Sequence, residues 1–514
     1  MLFSTFQFIL GFLPLVLAVF CLIPARWRSA RKIWLALASL FFYGYWKVEY
    51  VPLLLLSIGF NFTIAEWLTR WRGRPAASRV LFVGVAANLV LLGYYKYTNF
   101  LVGAFGLVVR HDFTRFDIIL PLAISFFTFT QIGYLVDVSR DPKLHYKFLD
   151  YSLFVVFFPH LIAGPIVRHW EVIPQFAERE LRANRTDLGV GLTLFLIGLV
   201  KKMLLADSAA VYANLIYGSA AHGAHLDWFG AWFGTLAYAL QIYFDFSGYS
   251  DMAIGLARMF SIKFPFNFDS PYRAVNIAEF WRRWHVTLTR FLREYVYFPL
   301  GGNRKGASRQ VANVMVTFFL SGLWHGAGWT FVVWGLLHGA YLVIAHQWGR
   351  LRKRREWLFP HWSYRGACVL LTFIAVMVSW VYFRSPSFTV ANDVLASMFG
   401  SHGITLSDAV TRPQRQPGVM LAAMGVKFVA DQTGVEHFSE AMRIVFGLLA
   451  LAWFFPNSQQ LLRRYDPIFE QDIRPARWAM TLDWRWGMAF GLLCFFVVRS
   501  HYTAAPSPFL YFNF

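Results

Sequence analysis

Apolar runs of about 15–20 residues recur along the whole chain, separated by short polar stretches rich in arginine. They predict membrane helices near 6–23, 33–46, 50–68, 80–95, 117–136, 149–166, 188–206, 228–246, 311–325, 329–347, 366–384, 440–456 and 486–500. No stretch alternates polar and apolar positions as a barrel strand does. The fold class is therefore all-α: a polytopic transmembrane bundle of about 11–13 spans, some re-entrant, with 1–514 as one integral-membrane domain. "FFPHLIAGP", Phe157–Pro165, reads as a broken element because Pro159, Gly164 and Pro165 interrupt a span.

Composition sharpens this reading. The chain is 57% hydrophobic and only 15% charged, against about a quarter charged in soluble proteins. Its net charge of +20 raises nucleic acid as a partner. The basic residues instead sit in short clusters between apolar runs, as the positive-inside rule requires, and no soluble basic domain exists to bind nucleic acid. Cys21, Cys368 and Cys494 lie in apolar spans at spacings that suit neither disulfides nor zinc, so they read as packing residues.

Basic clusters at Arg26–Lys32, Arg70–Arg79, Arg282–Arg309, Arg350–Arg355 and Arg463–Arg464 mark cytoplasmic ends. No Lys or Arg precedes the first span, which puts the N-terminus outside; the last span, starting inside, puts the tail 501–514 outside as well. Both ends of 310–348 are basic, so this segment must enter the membrane and return as a hairpin with legs of about 17–18 residues. Its turn is "SGLWHGAGWT", which places His325 deep in the bilayer or towards its outer half, between Trp324 and Trp329. Gly322, Gly326 and Gly328 would let backbones approach or line a channel.

A second imidazole lies 40 residues earlier. "EFWRRWHVTLTRFLREY", Glu279–Tyr295, has helical period. Trp281, Trp284, His285, Leu288, Phe291, Leu292 and Tyr295 share one face, and Arg282, Arg283, Arg290 and Arg293 the other, towards headgroups or solvent. A histidine on an apolar face is ordinarily a packing residue. Two of them near one intramembrane hairpin favour a functional centre. His338, on the return leg, reads as packing or as support for a neighbour. In "YFDFSGYSDMAIG", Asp245 and Asp251 need partners, arginines of the amphipathic helix or nearby hydroxyls, in a structural ion pair or in catalysis.

Together, "EFWRRWH", "LSGLWHGAGWTFVVWGLLHG", "DFSGYSDMAIGLARM" and "FFPHLIAGPI" resemble the membrane-bound O-acyltransferase (MBOAT) family, in its bacterial alginate O-acetyltransferase-like branch. The resemblance implies a helix bundle around a central tunnel, with the acyl donor entering from the cytoplasm. It implies His325 as the catalytic histidine and His285 as the second family histidine. It also implies residence in the bacterial inner membrane, a periplasmic partner resembling SGNH esterases, and a place in a polysaccharide synthesis and secretion complex. The C-terminal "FLYFNF" is similar to the tail of a small partner protein in the related D-alanyl transfer system, where a tyrosine takes the acyl group. By that likeness Tyr511 is an acetyl carrier; otherwise the tail is an aromatic interface anchor.

Acetyl transfer to a hydroxyl needs a base, and an imidazole suits it. His325 is the expected base, activating Tyr511 or a partner's hydroxyl. His285 is expected to orient the thioester, polarise its carbonyl or hold the nucleophile. Acetyl-CoA is the expected donor, with no bound cofactor. Arg282, Arg283, Arg304 and Lys305 would hold its phosphates, or would simply be positive-inside charge. Metal is not expected, since no carboxylate stands at ligand spacing from the histidines. A proton-coupled transporter or flippase is the competing class, but no internal repeat is visible. Alginate and cellulose are both candidate acceptors.

Overall fold

The computed structural model describes residues 1–514 except 142, 163, 179–180, 182–183, 356–360, 402, 409–415, 430–432, 436, 470–477, 504–506, 508 and 511–514. The chain is a helix bundle. Among the described residues the one exception is a short parallel pair, Thr405–Ser407 with Lys427–Val429.

Among the described residues five helices are long and apolar enough to cross a bilayer: Val48–Arg70, Pro75–Val109, Arg185–Ala221, Trp329–Arg352 and Ser363–Arg384. Two of them run well past the predicted spans at 80–95 and 188–206. Each continues through a π turn, at Gly93–Tyr97 and Lys201–Ala206. The span 80–95 stops at Lys96 because hydropathy counts a charge as a boundary, whereas 188–206 already includes Lys201 and Lys202 and stops beyond them. In the folded chain these ammonium groups have partners inside the protein. The predicted span 117–136 becomes helical only at Ile124, and 149–166 breaks after Val156, as its prolines require.

The centre of the bundle is Trp228–Met259, a 32-residue helix buried along nearly its whole length. Asp227 caps it by accepting from Gly230 N at 2.6 Å. It lies against Arg185–Val200 through two pairs of facing glycines. A Cβ on Gly198 would sit 2.5 Å from Gly248 O, and one on Gly255 would sit 2.5 Å from Gly191 O. Only glycine allows this approach. The approach carries the π turn after Val200 alongside the polar stretch Asp245–Asp251.

Candidate active site

The predicted hairpin is present as Ala307–His325 and Trp329–Arg355. Its basic ends come together, with Arg350 donating to Gln310 Oε1 at 2.9 Å. The legs touch through backbone. A Cβ on Gly335 would lie 2.2 Å from Phe318 O, and one on Gly322 2.3 Å from Phe331 O. The first leg stops at His325, where Gly326 turns extended. The His325 ring is buried among Trp324, Trp334 and Phe383, with ring centroids 4.9, 4.9 and 5.3 Å away. A different helix holds the end of this leg. From the π turn Gly93–Tyr97, Lys96 Nζ donates to Trp324 O at 2.5 Å and Tyr97 Oη to Leu323 O at 2.8 Å. These are two of the carbonyls that a helix C-terminus leaves unsatisfied.

The predicted continuous helix Glu279–Tyr295 is instead two short helices, Ile277–Arg283 and Val286–Leu292, broken at His285 (φ 42°, left-handed). The cause lies upstream. Arg283 O accepts from Asp269 N and Val286 N donates to Asn267 O, so the 267–269 strand of chain takes the groups a continuous helix would need. Asn267 Oδ1 also accepts from Thr287 Oγ1 at 2.7 Å and from Thr287 N at 3.3 Å, and lies 3.1 Å from His285 Nδ1. An atom that accepts from a backbone N–H is the amide oxygen, so Nδ1 of His285 must donate to it. Nε2 is left as the acceptor nitrogen, with no hydrogen-bond partner among the described residues. The ring is fully buried, 4.7 Å from Phe246 and 6.5 Å from the His325 ring.

The break also rearranges the arginines. Arg282 and Arg293 are exposed, but Arg283 is buried, bonded to Glu279 at 2.6 Å and near Asp269 at 3.8 Å. Arg290 pairs with Glu171 at 2.5 Å. His338 accepts from Trp281 Nε1 at 3.3 Å and meets Ser379 Oγ at 2.9 Å, which makes it a packing residue tying the return leg to its neighbours.

Two cavities approach the histidines from opposite ends of the hairpin and share no lining residue. One, of about 890 Å³, follows Gln310, Val314, Thr317 and Ser321 up the first leg to Trp281. Its walls carry Arg282, Arg293, Arg350, Arg352 and Arg365. The other, of about 560 Å³, has Tyr45 and Trp46 in its wall and reaches Lys96, Trp324 and His325. Of the predicted donor-binding residues only Arg282 lines the first cavity. Arg283 is committed to its carboxylates, and Arg304 and Lys305 are exposed outside the lining. Arg293, Arg350, Arg352 and Arg365 were read as topology signals or passed over. Only the hairpin's return brings them together.

Asp245 and Asp251 find lysines rather than the expected arginines: Lys202 to Asp245 at 2.8 Å and Lys201 to Asp251 at 2.6 Å. The π turn and the glycine pairs place them so. Tyr511 lies outside the described residues. The described residues just before it do not trail outside the fold. Phe509 is buried against Tyr249 and Phe246, and Leu510 N donates to Asp245 Oδ2 at 2.9 Å.

A helical membrane bundle with one cavity ending at a buried histidine and a second, arginine-walled cavity ending at Ser321 on the same helix has the form of an enzyme that works on a group within the bilayer. Residues 140–384 match the membrane-bound O-acyltransferase family. The chain is 36% identical to a peptidoglycan O-acetyltransferase of Helicobacter pylori, over 100% of this chain and 98% of that one. It is 39% identical to a probable alginate O-acetylase of Azotobacter vinelandii, over 79% of this chain and 80% of that one. It is 26% identical to a teichoic acid D-alanyltransferase of Bacillus subtilis, over 53% and 70%. The chain belongs to the membrane-bound O-acyltransferase family and is an acyltransferase.

Proposed function

We propose that this enzyme carries acetyl from cytoplasmic acetyl-CoA through the bacterial inner membrane for O-acetylation of a secreted polysaccharide such as alginate or cellulose. The observation that carries the reading is an arginine-walled cavity that climbs the first hairpin leg to Ser321 and Trp281, and an opposite, mostly apolar one that reaches Trp324 and His325 at the end of the same leg. The guanidinium groups of Arg282, Arg293, Arg350, Arg352 and Arg365 suit the phosphates of a coenzyme A donor. His325 takes the proton from an attacking hydroxyl, that of Tyr511 or of a periplasmic partner resembling SGNH esterases. The oxygen attacks the thioester carbonyl, a C–O bond forms, the C–S bond breaks, and the thiolate leaves with the proton from the imidazolium. The hydrogen bond from His285 Nδ1 to Asn267 supports one of its possible roles over the others. With Nε2 as acceptor, His285 holds a hydroxyl nucleophile rather than polarising a carbonyl. If Tyr511 is the first acceptor, its ester passes acetyl to the partner, which serves the polysaccharide secretion complex. The relatives named for peptidoglycan and alginate O-acetylation support a glycan as the final acceptor.

The test is incubation of purified protein with labelled acetyl-CoA, followed by mass spectrometry of the C-terminal peptide. Label on Tyr511 is expected, absent in Tyr511→Phe. In His325→Gln transfer should fall by about 10²–10⁴-fold. Thioester consumption at the wild-type rate in His325→Gln would overturn the base assignment.

A further inference from the structure

Two helices and the chain's own end meet in a buried polar cluster that the chemistry above does not use. Lys202 Nζ lies 2.8 Å from Asp245 Oδ1, 2.9 Å from Asp207 Oδ1 and 2.6 Å from Ser507 Oγ. Ser507 Oγ in turn donates to Asp207 Oδ1 at 2.6 Å. Leu510 N donates to Asp245 Oδ2 at 2.9 Å, the sole donor to that oxygen among the described residues. The ammonium donates to Asp207 and Ser507 and stands at ion-pair distance from Asp245.

One lysine leaves a carboxylate charge in excess, which needs neutral hydrogen-bond donors to solvate it. Two carboxylates face one lysine, and Asp245 is 1% exposed. A buried carboxylate oxygen left without a donor is costly. The donors that complete the set, one hydroxyl and one backbone N–H, come from residues 507 and 510. Between them Phe509 is 1% exposed and stacks on Tyr249 at 4.5 Å. Its ring is 5.7 Å from Phe246, whose own ring meets His285 at 4.7 Å.

We propose that Lys202, Asp207 and Asp245 form a socket that seats the C-terminal end of this chain beside the histidine pair. They are positioning residues: they touch the tail, not the reacting atoms. The side chains of Trp228–Met259, of the π turn Lys201–Ala206 and of Asp207 just after it are arranged to take a hydroxyl, a buried aromatic and an amide N–H at 507, 509 and 510. The use of the socket in acyl transfer rests on the reading of Tyr511 as carrier. The seating itself does not.

The experiment uses full-length protein in lipid nanodiscs. Leu510→Pro deletes the amide donor without altering any charge. Ser507→Ala deletes the hydroxyl. Release of C-terminal residues by a carboxypeptidase is followed by mass spectrometry, which reads the population of the unseated tail. The Leu510→Pro chain should be trimmed about tenfold faster, the effect of losing a hydrogen bond to a charged group, and Ser507→Ala should be trimmed faster too. In Leu510→Pro, label on the tail from acetyl-CoA should drop. Wild-type trimming rates in both variants would overturn the socket. Faster trimming of both variants beside an unlabelled wild-type tail would uphold the socket and sink the carrier reading instead.

Discussion

The two cavities that approach the hairpin from opposite ends are walled in opposite ways. The larger one sets five arginines around a groove that climbs the first leg of the hairpin. The smaller one has Lys96, whose ammonium donates to Trp324 O, the uncharged polar Thr5, Gln7 and Ser125, and mostly aromatic and aliphatic side chains elsewhere in its wall. One end is lined with charge suited to an anion. The other offers almost no charge and must select by shape and by what already sits inside the fold. On the proposed reading this difference keeps the donor's phosphates on one side while only the acetyl group passes the histidines.

The divide between the cavities should control rate, not affinity for the donor. Asn267 is the place to test this, because it lines neither cavity yet fixes the His285 tautomer. Asn267→Leu removes that acceptor and leaves buried donors unpaired, so kcat should fall about 10–100-fold with KM for acetyl-CoA unchanged. Asn267→Asp keeps an acceptor oxygen and should recover most of the loss. A rise in KM with kcat preserved would place His285 on the donor side and break the contrast.

The charged wall should behave in the opposite way. Arg293→Ala combined with Arg350→Ala should raise KM for acetyl-CoA about tenfold and leave kcat near wild type. Added salt should raise the wild-type KM and have less effect on the variant, since screening acts on the charges removed. Equal losses in kcat would show that these arginines act in the transition state instead.

Sequence reasoning reaches some of this and stops for physical reasons. The hairpin is legible because basic residues mark both its ends, and the glycines at 322 and 335 are where its legs touch. The proximity of His285 and His325 follows from motifs on adjacent elements. The break at His285 does not, because Asn267, 18 residues upstream, outcompetes the helix for its own hydrogen bonds and periodicity sees only local spacing. The arginine wall is hidden for a similar reason. Arg293, Arg350 and Arg365 lie on three elements that the return leg brings to one end. The partners of Lys201 and Lys202 are hidden because hydropathy has no means of pairing them with Asp251 and Asp245.

The smallest effect belongs to the grip on the end of the first leg. Tyr97 Oη to Leu323 O is a neutral hydrogen bond, worth about 0.5–1.5 kcal/mol net. Tyr97→Phe keeps the ring and deletes that bond alone, so the thermal midpoint should fall by only ~1–2 °C. Lys96 still holds Trp324 O in this variant, and no arginine of the other cavity is disturbed. KM for acetyl-CoA should therefore not change, and kcat should drop a few-fold at most, through a looser His325 rather than a missing group. If KM moved instead, the two ends would be coupled through the hairpin, and the separation of charge selection from group transfer would fail at its weakest joint.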